Sequence, residues 1–369
     1  MTEGRRRVGA SVAAGARGRG HRLARRLWYD RPSFAFRVLF QLSAPLSFGY
    51  RALFAYDRRR RLDRRRSAAI PVISVGGLVA GGSGKTPVTS WVASVLARAG
   101  GRPGRVGGPG PDDEALLHRR WTPAVAVVVD RDRFRGVEEL ARRGVEIAVL
   151  DDGFQHRQLA RDLDLALVSA GENRALLPRG PRREPGSALN RADRIVLVKS
   201  GDASPAWDAS EAPETPVAQL RFEPGSWLDL VGAPAPAPEG QVLAVSGIAR
   251  PDRFAAQLAA AGYPPAASIT YADHHRYTRR DALDIRNRLN GRTLVTTEKD
   301  AVKLCRFGSV LGPARALGQQ LVWETGETEL ARAVVAVGLE RGSLEMGGRP
   351  DGRGRAGTPG RSPAGSPCP

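Results

Sequence analysis

Short apolar runs alternate with stretches of helical spacing through the middle of the chain, from residue 68 onward. Five of these runs are rich in Val and Ile, as buried parallel strands are. They lie at 70–75, 124–129, 145–150, 163–168 and 195–198. After the first run, apolar residues recur at helical spacing from Val88 to Ala99 and stop at two consecutive glycines. The alternation predicts an α/β protein with a mostly parallel sheet flanked by helices.

A second α/β segment follows a stretch rich in Pro, Ala and Glu at 201–240. That stretch is typical of a connector, and we predict a short hairpin within it at 217–230. Beyond it, the pattern predicts a strand at 242–245, a helix from Pro251 and a strand at 293–296. We expect these elements to form a second, smaller α/β domain.

The chain begins with two segments of different character. Residues 1–26 are rich in Gly, Ala and Arg and too poor in apolar groups to become ordered. Residues 27–56 are crowded with aromatic and aliphatic side chains, and an arginine cluster follows at 57–66. The uncharged centre of this segment is too short to cross a bilayer and contains Pro45. An apolar segment beside arginines predicts an amphipathic helical anchor on an anionic membrane surface. Packing of the segment on the protein's own core is the alternative.

Charge is concentrated at the two ends of the chain. The formal net charge is +19 and the pI is about 11.2. Residues 1–66 carry +14 and residues 341–369 carry +3, which leaves +2 for the rest. This distribution argues against a nucleic-acid-binding core. The two cysteines exclude a disulfide-rich framework and a cysteine zinc site.

A glycine-rich turn joins the first predicted strand to the first predicted helix. It consists of Gly81, Gly82, Ser83, Gly84, Lys85 and Thr86. Glycines let backbone N–H groups point at a phosphate, and the helix N-terminus adds partial positive charge. The lysine of such a loop reaches the β- and γ-phosphates, and the following hydroxyl binds Mg²⁺. Val79 replaces the first glycine of the strict pattern, so an incidental Lys-Thr in a strand-to-helix turn is the alternative.

Two consecutive acids, Asp151 and Asp152, end a later buried strand. Adjacent carboxylates in such a place repel each other unless a cation neutralises them. One could hold Mg²⁺ directly and the other through water, whereas a helix N-cap pair is the alternative. Together the turn and the acids predict binding of Mg²⁺ with ATP or GTP. They do not identify the acceptor.

These features divide the chain into six predicted regions. They are a disordered basic extension (1–26), an amphipathic membrane-contacting segment (27–66), a P-loop core (67–205), a connector (206–240), a smaller C-terminal α/β domain (241–340) and a disordered tail (341–369). The core therefore contains both the glycine-rich turn and the acid pair.

Further distinctive blocks extend over residues 67–305. In order they are SVGGLVAGGSGKTP (74–87), DDEALL (112–117), DDGFQHRQLARDLDLALV (151–168), LLPRGPRREP (176–185), RADRIVLVK (191–199), SGIARPDRF (246–254), YADHHRYT (271–278) and LVTTEKDAVKL (294–304). With these blocks the chain resembles the tetraacyldisaccharide 4'-kinase family, which phosphorylates the lipid A disaccharide during outer-membrane lipopolysaccharide synthesis. The N-terminal apolar segment also lies where that family carries its membrane-contacting helix.

On the nucleotide side, the resemblance implies that Lys85 is the phosphate lysine and Thr86 the metal threonine. Asp151 and Asp152 match the metal-binding pair of the family. Arg183, with the glutamate after it, matches the Arg-Glu of a loop near the phosphates. Without the resemblance, Arg183 would be interpreted as a solvated charge.

On the acceptor side, the resemblance implies that Asp113 is the base for the sugar hydroxyl. Glu114 matches the acid beside that base, and we expect it among the metal-binding residues. His274 matches the histidine that assists the base. A carboxylate polarised by a histidine can accept a hydroxyl proton during in-line attack on a γ-phosphate. Without the resemblance, His274 or His275 would be interpreted as a surface or helix-capping residue, and Asp113 as part of an acidic loop.

The chain departs from the family pattern between the first helix and Asp113. Family members usually continue into a strand ending in Ser-Arg-Gly-Tyr-Gly, followed by a sizeable loop. Here only the glycine-rich segment 100–111 intervenes, without Ser or Tyr. Gly77 and Val79 also differ from the usual Asn and Thr at the loop entry. Either the longer loop is dispensable or catalysis is impaired.

We therefore expect a kinase that transfers the ATP γ-phosphate to the 4'-hydroxyl of a tetraacyldisaccharide 1-phosphate, with ATP and Mg²⁺ as cofactors. We expect a monomer bound peripherally to the inner membrane, on its cytoplasmic face, with the lipid A disaccharide as substrate and no specific nucleic-acid partner. Two other hypotheses stay open. One is a P-loop ATPase or GTPase that acts as a binding switch, and the other is a catalytically weakened paralogue.

Overall fold

The computed structural model describes residues 49, 56, 60, 63–79, 84–108, 113–177, 179–199, 209–212 and 215–340. The strands in this part of the chain are β1 (Val72–Gly77), β2 (Pro103–Gly107), β3 (Ala126–Val129), β4 (Ile147–Asp151), β5 (Leu163–Ser169), β6 (Arg194–Lys199), β7 (Val217–Leu228), β8 (Val242–Ser246), β9 (Ala267–Thr270), β10 (Thr293–Thr297) and β11 (Ala314–Thr325). The helices whose full extent is described are α1 (Lys85–Arg98), α2 (Asp113–Trp121), α3 (Arg133–Arg142), α4 (Pro251–Ala260), α5 (Arg279–Arg288), α6 (Glu298–Leu304), α7 (Gly308–Leu311) and α8 (Glu327–Glu340).

These strands hydrogen-bond into one sheet, in the order β3-β2-β4-β1-β5-β6-β7-β11-β10-β8-β9. Within it, β7 and β11 are antiparallel, while the remaining neighbours run parallel. The sheet thus has two parallel halves that run in opposite directions and are joined by two long strands. Helices cover it, which confirms the predicted α/β class with a mostly parallel sheet.

The strand β1 lies within the first half of the sheet and is buried along its whole length. Helix α1 packs against this region through Val88, Val92 and Leu96, which are fully buried. Their spacing of four residues puts them on one face of the helix. This packing fixes the first turn of α1, and with it Lys85 and Thr86, just beyond the carboxyl end of β1.

The junction of β7 with β11 brings the two halves of the sheet together. β7 pairs with β6 through residues 217–221 and with β11 from residue 219 to residue 228. The register of β11 shifts between Leu317 and Gln319, and a bulge of this kind bends a strand. A Cβ on Gly318 would lie 2.8 Å from the carbonyl oxygen of Ser226, so the bulge requires glycine. Helix α6 of the second half then contacts α2 of the first half.

One local expectation is wrong. The stretch at 217–230, predicted as a hairpin, contains the single strand β7, because its antiparallel partner is the distant β11. The glycine-rich segment 100–111, which is not among the apolar runs predicted as strands, contains β2, paired with β3 and β4. Backbone hydrogen bonds from both neighbours outweigh the poor strand propensity of Pro and Gly.

Several predicted regions lie wholly or largely outside the described residues. The basic extension (1–26) and the tail (341–369) lie outside them entirely, and so does most of the membrane-contacting segment (27–66). Strand β7 falls inside the predicted connector (206–240) and shares one sheet with both halves. The division into a core and a smaller domain stays a prediction.

Gly76 lets the end of β1 approach the loop that follows β4. A Cβ at this position would lie 2.5 Å from the backbone nitrogen of Phe154 and 2.6 Å from its Cβ. A side chain here would therefore push away the loop that carries the acid pair.

We predict that Gly76→Ala lowers the free energy of unfolding by about 1–3 kcal/mol, because the crowded atoms belong largely to the backbone. Urea denaturation measures the change. Gly107→Ala is the matched control, since a Cβ there meets nothing within 4 Å, and its effect should stay within about 0.5 kcal/mol. Equal effects of the two substitutions would contradict the packing argument.

Candidate active site

The start of α1 presents a lysine to the carboxyl end of the sheet. Gly84 precedes the helix with a φ of 78°, in the left-handed region that glycine adopts readily. The Lys85 Nζ lies 2.8 Å from Asp152 Oδ1 and donates to the carbonyl oxygen of Val79 at 3.2 Å. The structure thus brings the Lys-Thr turn beside the acid pair. Residues 81–83 lie outside the described residues, so their phosphate-binding role stays a prediction.

The two acids after β4 face different partners. Asp151 is buried, its Oδ1 accepts a hydrogen bond from the Thr89 hydroxyl at 3.4 Å, and its Oδ2 lies 2.7 Å from His118 Nε2. Asp152 has a φ of 54°, which is uncommon for a residue with a side chain. This turn directs Asp152 away from its neighbour, so that its Oδ2 accepts a hydrogen bond from Arg183 Nη1 at 2.9 Å.

The acids also differ in their tendency to ionise. Burial acts to raise the pKa of Asp152, but the charges of Lys85 and Arg183 outweigh it and hold that pKa well below its usual range. Burial raises the pKa of Asp151, and repulsion by Asp152 adds to the rise. A further cation close to Asp151 would therefore stabilise its ionised form.

A second group of side chains forms around Asp113, at the start of α2. This carboxylate is fully buried, and His274 Nδ1 lies 3.1 Å from both of its oxygens. The Lys303 Nζ lies 3.2 Å from Oδ2. Burial acts to raise the pKa of Asp113, but the His274 hydrogen bond and the charges of Lys299 and Lys303 lower it overall. Asp113 is therefore a carboxylate held ionised in a dry pocket.

His274 and Glu114 lie at the mouth of this pocket. His274 has a φ of 57°, so the chain turns sharply to direct the ring toward Asp113. The Glu114 Oε1 lies 3.8 Å from Lys299 Nζ and 4.0 Å from His274 Nε2. Burial and the charge of Asp151 raise the pKa of Glu114. Glu114 thus lies close to Lys299 and His274 and also experiences the charge of Asp151.

The two residues of the Arg-Glu pair predicted near the phosphates, Arg183 and Glu184, contact different parts of the protein. Arg183 bridges Asp152 and Gln155, both in the loop after β4. Glu184 is 1% exposed and binds Arg191 Nη2 at 2.7 Å. The arginine therefore faces the acid pair, whereas the glutamate anchors its own loop.

Besides the predicted residues, the site contains His118, Arg133, Lys299 and Lys303. Arg133 begins α3, is buried, and feels the charges of both acids after β4, while burial lowers its pKa. Lys299 and Lys303 stand four residues apart in α6, on one face of the helix. That spacing is the signal that could have indicated them.

The oxygen donors at the site fit a magnesium ion that arrives with a nucleotide. Among the residues that the structure describes, no three His, Cys, Asp or Glu side chains converge as a ligand set. Mg²⁺ is commonly held by one or two carboxylates, with phosphates and water completing its octahedron. Asp151, Asp152 and the Thr86 hydroxyl have this chemistry.

A family model and two curated relatives that match this chain have the same activity in their names. The family described as Tetraacyldisaccharide-1-P 4'-kinase matches residues 39–107 and 111–335. The chain belongs to this family. Tetraacyldisaccharide 4'-kinases from Syntrophobacter fumaroxidans and Nitrobacter winogradskyi are each 36% identical to it, over 322 and 318 residues. The alignments cover 77% and 79% of this chain, and 84% and 90% of the two relatives.

A solved structure is similar to this member of the tetraacyldisaccharide-1-P 4'-kinase family. It is LpxK from Aquifex aeolicus in complex with ATP, with a TM-score of 0.65 and 25% sequence identity. The match covers 81% of this chain and 99% of that one. The family resemblance inferred from the sequence blocks is therefore confirmed, together with the P-loop architecture.

We predict that Lys303→Met raises the pKa of Asp113, because it removes a positive charge 3.2 Å from the carboxylate. A carbon-13 NMR titration of Asp113 measures the change. Lys199→Met is the matched control, since Lys199 instead pairs with Glu324 at 2.7 Å. An unchanged pKa of Asp113 in the Lys303 variant would contradict the electrostatic account of this pocket.

Proposed function

We propose that the protein is an ATP-dependent kinase that phosphorylates the 4'-hydroxyl of a tetraacyldisaccharide 1-phosphate in lipid A biosynthesis. The main observation in support of this proposal concerns helix α2. The first residue of this helix is Asp113, and His118 on the same helix contacts Asp151. Five residues of α-helix span about 7.5 Å. The helix that carries the candidate base therefore also contacts a candidate magnesium ligand through His118.

In the proposed reaction, the acceptor hydroxyl loses its proton to Asp113 as its oxygen attacks the γ-phosphorus. The bond from that phosphorus to the ADP oxygen breaks. The lowered pKa of Asp113 means that the carboxylate is ready to accept the proton at neutral pH. His274, hydrogen-bonded to both oxygens, orients the base and stabilises its charge.

On the nucleotide side, Lys85 and Arg183 supply positive charge for the transferring phosphoryl group. Thr86, Asp151 and Asp152 would hold Mg²⁺, and Glu114 interacts electrostatically with Asp151. When bound, the ion neutralises phosphate charge and orients the triphosphate. Arg133 is a further candidate phosphate ligand, because its buried guanidinium faces the same acids.

The proposed site of action is the cytoplasmic face of the inner membrane. Among the described residues, no helix is long and apolar enough to span a bilayer. An acylated disaccharide resides in a membrane, whereas ATP is supplied from the cytoplasm. Peripheral binding through the apolar segment and the arginines of 27–66 would bring the two substrates together.

The placement of Asp113 supports full activity rather than a weakened paralogue. β2 preserves a strand between α1 and α2 despite the short 100–111 segment, and Asp113 still meets His274. The small net charge of residues 67–340 gives no support to a nucleic-acid-responsive switch.

We predict that Asp113→Asn lowers transfer of labelled phosphate from ATP to the lipid disaccharide by about 10²–10⁴-fold, because the base is lost. Nucleotide affinity, measured by calorimetry, should be retained. Lys85→Met should weaken both nucleotide binding and transfer. Lys199→Met is the control and should behave as wild type. Wild-type transfer by the Asp113 variant would refute the assignment of the base.

We predict that replacing the four arginines at 58–61 with glutamine weakens flotation with anionic vesicles, since each arginine near the surface contributes about 1 kcal/mol. The matched control replaces Arg349, Arg353, Arg355 and Arg361, which removes the same net charge from the tail. Equal losses in both variants would show that total charge, not the segment before the core, determines membrane binding.

A further inference from the structure

The strand β2 carries an arginine into the interior of the protein. Arg105 lies in the middle of the strand, between β3 and β4, and is 0% exposed. Burial lowers its pKa to about 10, although the charge of Asp151 opposes the shift. Its Nε and Nη2 have no hydrogen-bond partner among the described residues. A guanidinium buried in this way destabilises the fold, so we expect its charge to serve another role in the protein.

The Arg105 guanidinium contacts a buried histidine. Its Nη1 lies against Nδ1 of His118, a residue that is 3% exposed. On the other side of the ring, Nε2 lies 2.7 Å from Asp151 Oδ2. Ser90 Oγ lies 3.3 Å from Nδ1 and completes the surroundings of the ring. Arg105, His118 and Asp151 therefore form one continuous chain of polar contacts, defined here as the β2 relay.

The hydrogen-bonding groups of Arg105 and His118 determine which atom donates and which accepts at each contact of the β2 relay. An arginine can only donate, so the His118 Nδ1 that faces it must accept. The proton of the neutral ring is then on Nε2, where it is donated to Asp151 Oδ2. Each member thus fixes the orientation of the next.

The β2 relay acts on one of the two candidate magnesium acids. With Oδ2 held by His118, the Asp151 carboxylate cannot rotate, and its Oδ1 is left on the side of the Thr89 hydroxyl, 3.4 Å away. Groups that hydrogen-bond a metal ligand from behind commonly change metal affinity by about 10–100-fold. Two leucines would fill similar volume without burying a charge, so packing alone does not account for the relay.

We propose that Arg105 and His118 are positioning residues that hold the Asp151 carboxylate in the orientation required by the magnesium–nucleotide complex. This inference rests on the proposed function for the identity of the ion.

The test measures Mn²⁺ binding to the full chain in the presence of a non-hydrolysable ATP analogue, by electron paramagnetic resonance. His118→Leu should weaken Mn²⁺ binding about 10–100-fold. His118→Gln can still present an N–H to Oδ2 and should recover most of the affinity. Wild-type affinity in His118→Leu would overturn the proposal.

The double variant Arg105→Leu/His118→Leu separates positioning from folding. It removes both polar groups together, so it should unfold at a urea concentration equal to or above that of wild type, yet still bind Mn²⁺ weakly. A stable double variant with wild-type affinity would overturn the proposal.

Nitrogen-15 NMR of the wild-type His118 ring gives a readout that requires no variant. Its proton should be on Nε2, and a proton on Nδ1 would overturn the proposal.

The Mn²⁺ experiment distinguishes failure of the proposed kinase activity from failure of the proposed positioning role. Weak Mn²⁺ binding in His118→Leu would uphold the β2 relay even if wild-type protein transferred no phosphate to the lipid.

Discussion

Asp151 and Asp152 put two negative charges on consecutive residues at the buried end of β4, and the surrounding site compensates for them. Lys85 arrives from the first turn of α1 and Arg183 from the loop after β5, and both reach Asp152. His118 arrives from α2 and reaches Asp151. Because like charges cannot be buried together without such partners, elements distant in the sequence must converge here. In the proposed function, a magnesium ion bound with the nucleotide would add a further positive charge beside these acids.

Helix α2 couples this nucleotide side to the acceptor side. The contact between His118 and Asp151 fixes the helix, and its first residue, Asp113, then faces His274 and Lys303 from the second half of the sheet. The second half of the sheet lies next to α2 because of the bulged antiparallel pair β7 and β11. This pair joins two parallel halves that run in opposite directions. In the proposed mechanism, the long-range fold would therefore bring the proton acceptor next to the γ-phosphate.

The pattern of apolar and polar residues predicted the parts of the fold that depend on residues close together in the sequence. The apolar runs before Asp151 and before the glycine-rich turn are buried parallel strands, and their polar ends lie together as expected. β2 could not be predicted, because Pro and Gly favour turns and its stability comes from β3 and β4. Arg105 and His118 carry no pattern, since their role exists only when β2, α2 and β4 are adjacent. The antiparallel pairing of β7 with β11 likewise depends on residues far apart in the sequence, from Ala316 with Leu228 to Thr325 with Gln219.

The most direct test of the central claim is the identity of the product. The wild-type protein, incubated with ATP, Mg²⁺ and a tetraacyldisaccharide 1-phosphate, should yield a lipid with a second phosphomonoester. Phosphorus-31 NMR with proton correlation should assign that phosphate to the 4'-oxygen, with ADP formed in equal amount. Release of inorganic phosphate without a new lipid phosphomonoester, or a phosphate on another hydroxyl, would contradict the account.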